Sequence, residues 1–153
     1  MKIDSNPTIK QQRQHYMKLD QSKLDAAGNL KNGLIEEHFK DGSLSCAGHY
    51  HNGEKMGQWK YYLKNGQLKA IGEYVDGKMT GPWTWYRENG QLMQTGGFIV
   101  DDGREKKHGL WKRYHPGGAL FDEGEYAADK KVGEWRSYDA AGKLTKTTRH
   151  KAI

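Results

Sequence analysis

Residues 57–74 read Gly57-Gln58-Trp59-Lys60-Tyr61-Tyr62-Leu63-Lys64-Asn65-Gly66-Gln67-Leu68-Lys69-Ala70-Ile71-Gly72-Glu73-Tyr74, and the Asn65-Gly66 pair at their middle decides the fold. Asn-Gly between two alternating runs predicts a two-residue type I′ hairpin turn, whose central positions both need positive φ. With the turn placed there, Lys64 falls opposite Gln67, Leu63 opposite Leu68, Tyr61 opposite Ala70 and Trp59 opposite Gly72. Opposed residues share a face. One face then collects Trp59, Tyr61, Leu63, Leu68, Ala70, Gly72 and Tyr74, the other Lys60, Tyr62, Lys64, Gln67, Lys69, Ile71 and Glu73. A register taken from the turn alone separates an apolar face from a charged one, which supports the register. It also gives the glycine a purpose: a Trp ring laid across a cross-strand glycine shields backbone that has no side chain of its own.

The unit recurs. Trp59, Trp83, Trp111 and Trp135 are separated by 24, 28 and 24 residues. Gly57, Gly81, Gly109 and Gly133 precede them by two, and Tyr62, Tyr86, Tyr114 and Tyr138 follow by three. Turn glycines (Gly66, Gly90, Gly118, Gly142), leucines (Leu68, Leu92, Leu120, Leu144) and Gly72, Gly96 and Gly124 keep the same register. A degraded copy runs from Gly33 through Ile35, His38, Gly42, Leu44 and Gly48 to Tyr50, and the last copy loses its final glycine. About five units with atypical ends is the pattern of a stacked array. The expected fold is all-β: an elongated, twisted, single-layer antiparallel sheet of about five hairpins spanning residues 25–145. Residues 1–24 form a polar segment in which Lys10 to Leu24 is expected as a short capping helix, and 146–153 a basic tail. The longer spacing after Trp83 places four extra residues between Val100 and His108, which predicts a protruding charged loop around Asp101, Asp102, Lys106 and Lys107.

Composition agrees with a thin structure. Hydrophobic residues are only 35% of the 153, yet there are twenty glycines, five tryptophans and nine tyrosines, so flat aromatic surface replaces aliphatic bulk. Such an aromatic stock argues against disorder. The net charge of +6 favours acidic partners. No apolar stretch resembles a signal peptide or a membrane span, which points to the cytoplasm, and the lone Cys46 excludes an internal disulfide.

Catalytic and cofactor chemistry finds no footing. His49 and His51 share a strand face near Cys46, but their neighbourhood is a hairpin end and no metal site is assigned. Asp101 and Asp102 lie beside lysines at a solvated tip, and no nucleophile elbow or phosphate loop occurs. The expectation is a protein that is not an enzyme and holds no cofactor. Nucleic acid is disfavoured as a partner, because the strict tryptophan period is explained by packing without base stacking.

Positions that the repeat leaves free carry more information. The central cross-strand pair changes from unit to unit: Glu37 with Cys46, Tyr61 with Ala70, Trp85 with Gln94, Arg113 with Asp122, Ser137 with Lys146. Acid, exposed aromatics and an Arg-Asp pair suit a protein-binding patch, and Glu37, Tyr61, Trp85, Gln94, Arg113 and Asp122 are the expected partner-binding residues. Strict alternation puts Met93 and Phe121 on the opposite face as a smaller second contact.

The pattern Gly-x-Trp-x-x-Tyr, an Asn-Gly-type turn, a leucine and Gly-x-Tyr, repeated between about Gly33 and Leu144, resembles the MORN repeat in its bacterial, antitoxin-like variant. The resemblance implies a single-layer hairpin sheet acting as a binding platform, and an immunity protein or antitoxin that neutralises a cognate protein toxin. It supplies no catalytic residues. The alternative it leaves open is a scaffold that uses its positive charge on an anionic membrane surface. Open sheet edges leave the oligomeric state undetermined.

Overall fold

The computed structural model describes residues 20–151. Ten strands form one antiparallel sheet in chain order: β1 (Gly33–His38), β2 (Leu44–His51), β3 (Glu54–Tyr62), β4 (Leu68–Val75), β5 (Lys78–Tyr86), β6 (Leu92–Asp101), β7 (Arg104–Tyr114), β8 (Leu120–Ala127), β9 (Lys130–Tyr138) and β10 (Leu144–His150). Every strand pairs with its sequence neighbours, so the array is five hairpins laid side by side. Most of the expected capping helix lies outside the described residues. Its described end is a single 3-10 turn, Gln21–Lys23, after which Leu24 is buried and bridges to Leu30.

The predicted ladder is present, but the two-residue type I′ turn expected at Asn65-Gly66 is not. Trp59 faces Gly72 and Tyr61 faces Ala70 as expected, whereas Leu68 faces Tyr62 rather than Leu63. In the Asn65-Gly66 turn only Gly66 has positive φ, at 86°. Gly66 N–H donates to Leu63 O and Leu63 N–H to Gln67 O, which is a three-residue loop: a type I turn closed by a left-handed glycine. A three-residue loop would shift the ladder by one place, and an extra residue at Lys69 shifts it back. The type I′ turns join the hairpins instead. Asn52-Gly53, Asp76-Gly77, Asp102-Gly103 and Ala128-Asp129 have positive φ at both positions.

The bulge at Lys69 recurs at Met93 and Phe121 and corrects their assignment. An inserted residue breaks strict alternation. The Arg113 guanidinium lies 5.0 Å from the centre of the Phe121 ring while bonding Asp122, so Phe121 stands on the same side as Asp122. The expected charged loop is corrected as well. The four extra residues lengthen β6 and β7 into a paired ribbon, with Val100 opposite Glu105 and Asp101 opposite Arg104, closed by the same tight turn.

The core is a line of rings. Each tryptophan lies over the glycine of the preceding hairpin rather than over its partner within its own: Trp59 covers Gly48, Trp83 covers Gly72, Trp111 covers Gly96 and Trp135 covers Gly124. Room for this comes from a wide bulge in which three residues, such as Gly57 to Trp59, stand opposite one, Gly48, with Gly57 at φ 67° to turn the chain. Each indole Nε1–H then donates to the carbonyl just past the covered glycine, as Trp83 does to Glu73 O at 3.2 Å. Trp59 is fully buried and Trp83, Trp111 and Trp135 nearly so, although the sheet has one layer. Tyr50, Tyr74, Phe98 and Tyr126 meet the tryptophans edge-on and close the line. The outer hairpins depart from this pattern: Ile35 faces Gly48 where the other hairpins have Trp, and Thr148 faces Trp135 where the others have Gly.

Burial has a titration consequence. It pushes the Tyr50 phenol up to about 12, helped by the Glu37 carboxylate, and it raises Tyr74 and Tyr61 as well. These phenols keep their protons in the fold at a pH where an unfolded chain, with phenols near pH 10, releases them. Stability is therefore whole below about pH 10 and falls as pH rises through the raised values. A pH titration followed by circular dichroism should lose sheet signal together with the appearance of phenolate absorbance, not before it.

Candidate functional site

The free positions converge. Cross-strand pairing links Glu37, Cys46, Tyr61, Ala70, Trp85, Gln94, Arg113, Asp122, Ser137 and Lys146 into one unbroken row across all ten strands. All six sequence-predicted partner residues lie on it. The pairing between hairpins, which the repeat pattern alone did not specify, creates this continuity.

Along the row the environment changes. Glu37 is exposed at the first edge, where it ion-pairs with Lys31 and accepts from the Cys46 thiol, itself buried and held protonated by burial and that carboxylate. Tyr61 and Trp85 are half-buried, because each fills space between successive framework tryptophans. Trp85 stacks between Trp83 and Trp111, with centroids at 5.9 and 5.7 Å, and the Tyr61 hydroxyl lies 2.8 Å from that of Tyr74. They thus extend the core while showing one edge to solvent. Past Gln94 the aromatics stop. Arg113 makes a forked pair with Asp122, Nε to Oδ1 at 3.0 Å and Nη2 to Oδ2, and these bonds push the guanidinium pKa further up. Asp122 is buried, whereas the Arg113 side chain is 53% exposed.

A column that the sequence reading missed runs beside the row. Lys31, Lys55, Met79, Lys107 and Lys131 stand four residues before Ile35 and the four framework tryptophans, and they project onto the aromatic face. Lys31 sits 5.0 Å over Tyr50, Lys55 4.9 Å over Trp59, Lys107 4.8 Å over Trp111 and Lys131 4.5 Å over Trp135. The signal was available, because these lysines keep the tryptophan spacing. They were lost among 25 basic residues. Their backbone also ties hairpins together: the Lys31 and Lys55 carbonyls accept from the turn glycines Gly53 and Gly77.

Two grooves open where the row turns polar. One, of about 190 Å³, has Trp111, Tyr126 and Trp135 as its floor and Lys107, Lys131 and Arg113 at its rim. The other, of about 370 Å³, lies on the far side of Arg113 and includes Met93 and Phe121. No group of three or more His, Cys, Asp or Glu residues able to hold a metal occurs among the described residues. Nor is any helix among them long and apolar enough to cross a membrane.

The MORN repeat variant matches residues 57–76, 79–99, 107–128 and 131–152, which together exceed half of the chain. The chain belongs to the MORN repeat variant family. Each matched MORN segment covers most of one hairpin, from the second to the fifth, so the tryptophan, turn glycine and covered glycine described above lie within the family unit. The first hairpin, Gly33–His38 with Leu44–His51, precedes the matched MORN segments. No curated protein matches the chain significantly. Among solved structures the chain is similar to one described as the crystal structure of GtfA/B complex bound to UDP and GlcNAc, at 13% identity and a TM-score of 0.29, over 76% of this chain and 23% of that one. The chain spans less than a quarter of that structure's length, and a likeness at this score carries nothing about fold or function.

Proposed function

We propose that this MORN array is a non-catalytic protein-binding platform whose partner lies along the transverse row, and that the partner is a cognate toxin which the chain neutralises. The observation that carries the platform reading is the row itself: the framework columns repeat from hairpin to hairpin, while the line from Glu37 to Lys146 changes at every step. A line of changing residues on an unchanging frame is how a repeat surface acquires specificity. The toxin reading rests on the likeness of these repeats to the antitoxin-like variant and on the lack of catalytic groupings in the sequence.

The test is co-expression with the product of the neighbouring reading frame. A one-to-one complex and rescue of growth are expected. Crowding the row with Gln94→Arg and Ser137→Arg, which removes no packed ring, should weaken that complex at least tenfold, about 1.4 kcal/mol. Lys60→Ala with Lys112→Ala on the opposite face should leave it unchanged. Absence of growth rescue rejects the antitoxin reading, and a complex indifferent to the crowded row removes the row from the interface.

A further inference from the structure

We infer that the groove between the fourth and fifth hairpins is a receptor for an acidic side chain of a protein partner, with a glutamate as the best fit. This rests on the platform reading and adds the chemistry of the partner's anchor.

The charge balance of the groove comes first. Lys107 and Lys131 hold their ammonium groups over Trp111 and Trp135, and no carboxylate forms an ion pair with either among the described residues. Among the described residues the only acid lining the groove is Asp122, which is buried and already engaged by both arms of the Arg113 fork. Three cations therefore surround a hollow that contains one spent anion. A lysine ammonium has three N–H donors, and one held over an aromatic face does not use all of them on the ring, so donors remain for an incoming acceptor.

Comparison with the other hairpins explains why the hollow is here. In the second hairpin the equivalent ammonium, that of Lys55, donates to the Tyr61 hydroxyl at 3.0 Å, and in the third the equivalent residue is the uncharged Met79, while the row there carries the Trp85 ring stacked between Trp83 and Trp111. In the fourth and fifth the row carries Arg113 and Ser137, and no side chain of the row takes up the lysine ammoniums. The site is the same structural position with its internal ligand removed.

Shape selects the carboxylate. The floor of Trp111, Tyr126 and Trp135 is aromatic and accepts a short methylene stem, while the rim cations take the head. A phosphate group is best held by backbone N–H nests or a free guanidinium fork. Here the backbone is spent in the sheet ladder and the fork is spent on Asp122.

The experiment titrates the full chain with capped hexaglutamate while following its tryptophan indole N–H signals by NMR. Shifts concentrated at Trp111 and Trp135 are expected, with at least a tenfold loss of affinity in Lys107→Gln/Lys131→Gln. The charge-matched Lys60→Gln/Lys130→Gln variant should bind as the parent does. Equal loss in both variants would reduce the effect to net charge and overturn the site. Tighter binding of inorganic phosphate, or of phosphatidylserine vesicles, at the same indoles would overturn the choice of a carboxylate. Absence of any shift rejects the groove outright. A partner complex that is lost with the crowded row yet unaffected by Lys107→Gln/Lys131→Gln would refute the acidic anchor while leaving the platform reading standing.

Discussion

Gly72→Ala is expected to break the array at its middle, with a loss of about 3–5 kcal/mol, the range for deleting a packed aromatic from a core. The added methyl would stand 2.0 Å from the Trp83 ring carbons, and it can be accommodated only by expelling the indole, which forfeits its burial and its bond to Glu73 O. Gly66→Ala separates this from a general intolerance of glycine replacement. Gly66 has positive φ and nothing within 4 Å of an added methyl, so only the backbone term applies, roughly 1 kcal/mol. Were conformational freedom the reason that glycine recurs in each unit, Gly66→Ala would be the worse change. Denaturant midpoints read by tryptophan fluorescence decide between them. Because an array of this kind is stabilised between nearest neighbours, Gly124→Ala should release only the last hairpin and leave the earlier tryptophans protected. A Gly72→Ala chain as stable as the parent would show that the ring over Gly72 contributes nothing.

The hairpin ladder was legible because three independent signals, the turn dipeptide, the face segregation and the 24-residue period, all agree on the pairing of Trp59 with Gly72. What stayed hidden was anything that depends on an inserted residue. Alternation counts by two, and a bulge such as that at Phe121 is silent in composition, so strict alternation misplaces Met93 and Phe121 and makes the Asn65-Gly66 loop one residue too short. The covering of Gly72 by Trp83 was hidden for a related reason. A pattern found within one repeat points first to contacts within it, whereas the ring reaches across to the previous hairpin through a wide bulge. The row was half-legible: its pairs within hairpins followed from the turn, but its continuity from Gln94 to Arg113 came only from pairing between hairpins. The lysine column obeyed the period from the start, yet a lysine among many reads as solubility until a ring is found beneath it.

Arg113→Ala should cost about 2 kcal/mol, the second largest loss expected. Breaking a buried ion pair by removing one partner costs about 3–5 kcal/mol. Here the cation is half exposed and water can reach the vacated space, which lowers the figure. The cost arises mainly from Asp122, left buried with neither of its two bonds. Removing the acid as well should therefore restore stability, so that Arg113→Ala/Asp122→Ala is more stable than Arg113→Ala alone, a sign opposite to additivity. Arg113→Lys keeps the charge but cannot make the fork, and belongs between parent and Ala. Hexaglutamate binding responds differently. Arg113→Ala leaves Asp122 unneutralised beside Lys107 and Lys131 and weakens the peptide, whereas the double variant, with two rim cations and no acid, should bind nearly as the parent does. Stability and binding both recovering in the double variant would identify Arg113 as the neutraliser of Asp122, and recovery of stability without recovery of binding would show that the guanidinium itself contacts the ligand.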